Sequence, residues 1–89
     1  MLTKVTRIER LGGYRLRVAF NDGSAGVHDF CALVRQPGPL LVPLRDEAFF
    51  ARVFLDFGAP TWPNGFDVSP EWLRLEMERA GELVRDAAE

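Results

Sequence analysis

Cysteine and histidine are almost missing from this 89-residue chain, which has one of each, Cys31 and His28. A lone cysteine cannot close an internal disulfide, so nothing calls for an oxidising compartment. Nor can one cysteine and one histidine complete the four-ligand set of a structural zinc site. No apolar run approaches the ~20 residues of a membrane-spanning helix, each being broken by proline or charge. The opening Met1-Leu2-Thr3-Lys4-Val5 leads into alternation instead of the apolar stretch of a secretory leader. A cytoplasmic protein with no membrane attachment is therefore expected. Glycine-rich phosphate loops, internal repeats and low-complexity tracts are lacking too, and no cofactor is expected.

What is present suits one small α+β domain. Apolar residues make up 47% and charged residues 27%, the balance of a chain that folds around a core. Charge is unevenly spread. Residues 1–45 hold seven Lys/Arg against three Asp/Glu, and residues 46–89 hold four against ten. Such a split either steers partners to opposite surfaces or is neutralised between a basic sheet and an acidic helix, within the chain or across a dimer.

Taken in order, residues 4–29 read as an antiparallel three-stranded meander. From Lys4 to Leu11, strict alternation puts Val5, Arg7, Glu9 and Leu11 on one side and Thr6, Ile8 and Arg10 on the other. Gly12-Gly13 makes the first turn. Tyr14, Leu16, Val18 and Phe20 then share the core face of the second strand, with Arg15 and Arg17 opposite. Asn21-Asp22-Gly23 turns the chain again, Gly23 supplying the positive φ, into a third strand over residues 24–29. Residues 30–52 hold a helical turn from Phe30 to Arg35, a proline-interrupted loop, and a short helix begun by Asp46-Glu47. Residues 53–62 are candidates for two more short strands, Phe54 to Phe57 and Thr61-Trp62, separated by Gly58-Ala59-Pro60.

The densest signals fall between Trp62 and Leu73. Pro63-Asn64-Gly65 is a turn on two grounds, the proline's fixed φ and the Asn-Gly pair. A positive φ at Gly65 would make Gly65→Val disruptive. Ser69, Pro70 and Glu71 read as N-cap, N1 and N2, with the proline where its missing N–H costs nothing. The helix is expected to run over 70–84 or longer, burying Leu73, Met77, Ala80 and Val84 as one stripe, weakened at Gly81. The tail from Arg85 to Glu89 is expected to fray.

Several motifs together resemble a small bacterial family known only as domain of unknown function 2442: Phe20-x-Asp22-Gly23, Asp29-Phe30, Leu44-x-Asp46-x-x-x-Phe50-x-x-Val53, and above all Trp62-x-Asn64-Gly65-x-Asp67-x-x-Pro70-Glu71-x-Leu73. The resemblance covers nearly the whole chain. It implies an α+β domain with an antiparallel sheet, and it brings no catalytic residues. Some relatives look like partners of another small protein, in arrangements similar to toxin–antitoxin pairs. Others carry a following helix-turn-helix that this chain is too short to hold, so a DNA-binding role does not carry over.

Four groups of side chains are candidates for chemistry. His28-Asp29-x-Cys31 fails as a metal site because alternation sends His28 and Asp29 to opposite faces, and Cys31 reads as a small buried hydrophobe. Asp67 and Glu71, with Asp46 and Asp56, would suit acid–base chemistry if held in a cleft, but carboxylates beside a helix start serve equally to satisfy its free N–H groups. Arg15 and Arg17, with Lys4, Arg7 and Arg10 nearby, would make a phosphate-contacting stripe for nucleic acid; no aromatic for stacking shares that face. Trp62, Phe66 and Trp72 form either a core seam or an anchor for a protein partner. No catalytic residue and no metal ligand is assigned. The resulting expectation is a non-enzymatic interaction module with a protein partner or a second copy of itself, with nucleic-acid binding and a small acid-based enzyme as alternatives.

Overall fold

The computed structural model of the chain describes residues 2–85; of the tail expected to fray, Asp86 to Glu89 lie outside them. The fold is α+β. Strands β1 (Val5–Arg10), β2 (Arg15–Phe20) and β3 (Ser24–Asp29) form the expected antiparallel meander. Two helical turns follow, α1 (Cys31–Val34) and, after a 3₁₀ turn at Pro43–Arg45, α2 (Glu47–Phe50). A second, two-stranded sheet pairs β4 (Phe54–Asp56) with β5 (Ala59–Thr61). Helix α3 spans Pro70–Arg79, and the chain returns as β6 (Val84–Arg85) beside β3, giving the order β1-β2-β3-β6.

One face of the large sheet carries the core. Leu16, Val18 and Phe20 alternate inward along β2 as expected, with Val5 beside them, all fully or nearly buried. Strict alternation fails on β1, however. Its register shifts between Val5 and Arg7, a β-bulge that adds one residue at Thr6. Val5 and Ile8, three positions apart, therefore both face the core, as a bulge permits and an unbroken strand does not.

Across this face runs an aromatic spine. The Phe30 and Phe50 centroids lie 5.8 Å apart, Phe50 and Trp62 5.4 Å, and Trp62 and Phe66 5.9 Å. Trp62 is 1% exposed, and its indole N–H donates to the Phe50 carbonyl at 2.9 Å, satisfying the one polar group that ring would otherwise bury unpaired. Leu73 and Met77 of α3 seal the same core.

The helix ends five residues before the expected Val84. Ala80 is its C-cap and Gly81, at φ +71°, leaves the helical region. Gly81 N–H donates to Glu78 O at 3.1 Å and Glu82 N–H to Met77 O at 2.9 Å, the paired bonds of a Schellman cap. Gly81 thus terminates the helix instead of weakening its interior, and Ala80 and Val84 are exposed instead of completing the stripe. A second glycine makes the return possible. A Cβ on Gly26 would stand 2.1 Å from the Glu82 carbonyl oxygen, so only glycine lets the chain cross β3 so closely.

The small hairpin also departs from expectation. Its turn is Phe57-Gly58, both at positive φ (+51° and +82°), while Ala59 and Pro60 are strand residues. Gly58 O accepts from Val5 N–H at 2.8 Å, which ties this hairpin to the start of β1.

Candidate functional site

The motif from Trp62 to Ser69 is a scaffold for a surface cleft. Trp62 anchors it in the core. Gly65, at φ +92°, closes the turn, its N–H donating to Trp62 O at 2.9 Å. Asn64 works in both directions: Oδ1 accepts from Phe66 N–H at 3.2 Å, and its amide donates to Leu40 O at 2.9 Å. Asp67 bridges to Thr61, and Val68 N–H donates to Pro60 O at 3.0 Å, laying the segment along β5. Ser69 Oγ then caps α3 by accepting from Trp72 N–H at 3.3 Å, with Pro70 at N1.

This arrangement separates the three aromatic rings assigned together to partner binding. Trp62 lies in the core and cannot touch a partner. Phe66 is half-buried and Trp72 is 39% exposed. Together with Leu33, Gln36, Asp67, Val68 and Ser69 they line an open cleft of about 270 Å³. Its far wall comes from α1 and the turn after it. Arg45 braces that turn, donating through Nε to Val34 O at 2.8 Å and through its guanidinium to Gln36 O at 3.2 Å. The floor is apolar, and the rim carries one carboxylate, one hydroxyl and one amide.

Of the four carboxylates considered for acid–base chemistry, Asp67 is exposed on the cleft rim, Asp56 is exposed on β4, and Glu71 accepts from Ser69 Oγ at 3.4 Å beside the helix start. Asp46 caps α2, accepting from Ala48 N–H at 3.0 Å. Glu71 and Asp46 thus make the contacts of helix-terminal acids.

Arg15 and Arg17 do lie on the open face of the sheet, but in mixed company. Arg17 pairs with Glu9 at 3.4 Å, and Arg15 stands opposite Asp29 across β2 and β3. Arg10 belongs to the other face: it stands opposite Leu16, and its guanidinium donates to Ala51 O. The stripe expected from Lys4, Arg7 and Arg10 is thus broken by register. His28 and Asp29 diverge as alternation requires, and Cys31 is half-buried instead of sealed in.

Two features escaped sequence reasoning. His28 Nδ1 lies 2.9 Å from Glu82 Oε1, joining β3 to the segment after α3. Asp22 ties the second turn to the helix: Oδ1 accepts from Ser24 N–H at 3.0 Å and Ser24 Oγ at 2.6 Å, and Oδ2 from Arg74 Nε at 2.8 Å. The Ser24 hydroxyl, the Ser24 amide and the Arg74 guanidinium hold the Asp22 pKa down at about 2, from 3.8. Serine two residues after Asp22 signalled the first part; nothing local signalled Arg74.

The profile described as "Protein of unknown function (DUF2442)" matches residues 5–77. The chain belongs to the DUF2442 family. No curated protein and no solved structure is significantly similar to it. In this DUF2442 chain the family motif accounts for the cleft's floor and near wall: Trp62 and Gly65 set the backbone, and Asp67 and Pro70 bracket the segment that presents Phe66 and Trp72. The matched region ends at Met77 and leaves out the Gly81 cap and β6.

Proposed function

We propose that the protein is a non-enzymatic interaction module whose cleft, between α1 and the start of α3, receives an apolar side chain of a protein partner. One observation carries this reading: Trp72, the largest ring on α3, is 39% exposed at the edge of an apolar cleft, while Leu73 and Met77 of the same helix are buried in the core. Tryptophan is enriched among residues that dominate binding energy, and a rim of near-neutral polar groups around it excludes water once a partner is seated. An antitoxin-like or regulatory role is the sharpest form of this proposal, supported by the resemblance of some relatives to members of toxin–antitoxin pairs. Cytoplasmic location remains part of the proposal; among the described residues, no helix is long and apolar enough to cross a membrane.

The test is affinity capture from the native host with the wild type and with Trp72→Ala, each with and without nuclease. A stoichiometric protein recovered by the wild type, surviving nuclease and lost with Trp72→Ala, supports the module. Recovery that depends on nucleic acid and on Arg15 and Arg17 would replace it with the nucleic-acid reading. The pairing of Arg17 with Glu9 and the placing of Arg15 opposite Asp29 weigh against that outcome, because phosphate contacts need cations free of competing carboxylates.

A further inference from the structure

Phe57 is 95% exposed, the extreme among the large apolar residues described, and its φ of +51° lies in the left-handed region. A bulky side chain rarely adopts that conformation. With Gly58 at φ +82°, Phe57 occupies the first central position of a two-residue hairpin turn of the I′ kind, where asparagine or glycine is preferred. An aromatic ring here costs the fold twice, in backbone strain and in apolar surface left in water. Strain retained at a protruding position points to a contact outside the chain.

Resting on the interaction reading of the cleft, we propose that its occupant is Phe57 of a second copy of this chain. The ring cannot fill its own cleft. Asp67 sits beside Thr61, at the base of the hairpin, and the tip lies three strand steps beyond, roughly 10 Å away at the rise of a β-strand. The cleft, at about 270 Å³, is of a size to take one phenyl ring, and its walls of Leu33, Phe66, Val68 and Trp72 offer it apolar and edge-to-face contacts. Charges match as well. The Lys4 stem runs against Gly58, within 2.8 Å of where a Cβ would stand, which places a cation beside the knob. The cleft rim holds the Asp67 carboxylate, a partner for that cation. A knob and a hole on one chain can seat reciprocally about a two-fold axis, so that two copies fill both clefts.

Sedimentation analysis over a wide concentration range tests this with three proteins: the wild type, Phe57→Asn and Trp72→Ala. The wild type is expected to self-associate, with Trp72 emission shifting to the blue as copies join while buried Trp62 contributes a constant background. Phe57→Asn should raise the dissociation constant by about thirtyfold or more, as loss of an anchoring aromatic does, with a melting temperature at or above that of the wild type when both are measured dilute enough for the wild type to be monomeric. Trp72→Ala should weaken association similarly. Mixing the two variants should restore part of it, since one retains the cleft and the other the knob. A wild type that stays monomeric overturns the proposal, as does association indifferent to Phe57→Asn. Association lost with Phe57→Asn but unchanged by Trp72→Ala overturns the choice of cleft. A monomeric wild type that still loses a captured partner with Trp72→Ala leaves the interaction module standing and removes only the second copy.

Discussion

The two hairpins at opposite ends of the chemistry scale make an instructive contrast. At Asn21-Asp22-Gly23 both polar side chains of the turn are engaged: Asn21 bonds to the backbone of Leu2 and Lys4, and Asp22 holds Ser24 and Arg74. The residues fit the turn, and the turn is tied to the helix. At Phe57-Gly58 the wrong residue type occupies the first turn position and its side chain touches almost nothing. The two turns thus separate into one that serves stability and one whose composition makes sense only through an external contact. The tied end continues through Gly26 and Glu82; the open end continues into the Trp72 cleft.

Predictions follow that gradient. Gly26→Ala strikes the tied end hardest, because a methyl group would press on the Glu82 backbone. A loss of about 3 kcal/mol or more is expected in denaturant unfolding, and the backbone, unlike a side chain, cannot swing aside. Gly65→Val forces a β-branched residue to φ +92°, for an expected loss of about 2 kcal/mol; a loss within error would sink the turn assignment. Asp22→Asn should cost about 1 kcal/mol at neutral pH, discounted because the carboxylate is partly solvated. It should also alter the acid limb. The Asp22 pKa is depressed from 3.8 to about 2 on folding, so its contribution is complete above pH 3.8 and is lost as the pH falls through about 2. The variant's stability curve should be flatter in that window. Trp72→Ala, at the open end, should cost about 1 kcal/mol, well below the loss from truncating a core ring, since the side chain sits at a cleft edge and is 39% exposed. Phe57→Asn should be neutral or stabilising by about 0.5–1 kcal/mol, judged from the left-handed preference of asparagine. A marked destabilisation by either of the last two would erase the contrast.

Much of this contrast was legible in advance on one side only. Asn21-Asp22-Gly23, Pro63-Asn64-Gly65 and Ser69-Pro70 carry their conformations in local chemistry, so turns and helix start were readable residue by residue. The β1 bulge was not, because an added residue at Thr6 is chosen by what Val5 and Ile8 must both reach. The end of α3 was misread for a related reason: Gly81 reads as a weak helix residue until Glu82 is seen crossing Gly26, a contact 56 positions apart in the chain. Trp62 and Trp72 were indistinguishable in sequence, since three rings around a turn have no periodicity to say which faces in. The cleft's near wall lay in the family motif, while Leu33 and Gln36, on its far wall, came from a segment that gave no functional signal. Phe57 was read as the end of a strand, an assignment that concealed its strain.

The bulge at Thr6 has a consequence for how this molecule avoids its own kind. β1 is an outer strand, and an outer strand with free backbone groups invites another sheet to extend it. Here the kink spoils the repeat, Gly58 has claimed the Val5 amide, and Arg7, Glu9 and Arg10 line what is left with charge. At the opposite border β6 offers only two described residues. Strand-by-strand stacking, the route to fibrous aggregates, is thereby discouraged at both borders, and contact between molecules is left to side chains at chosen points.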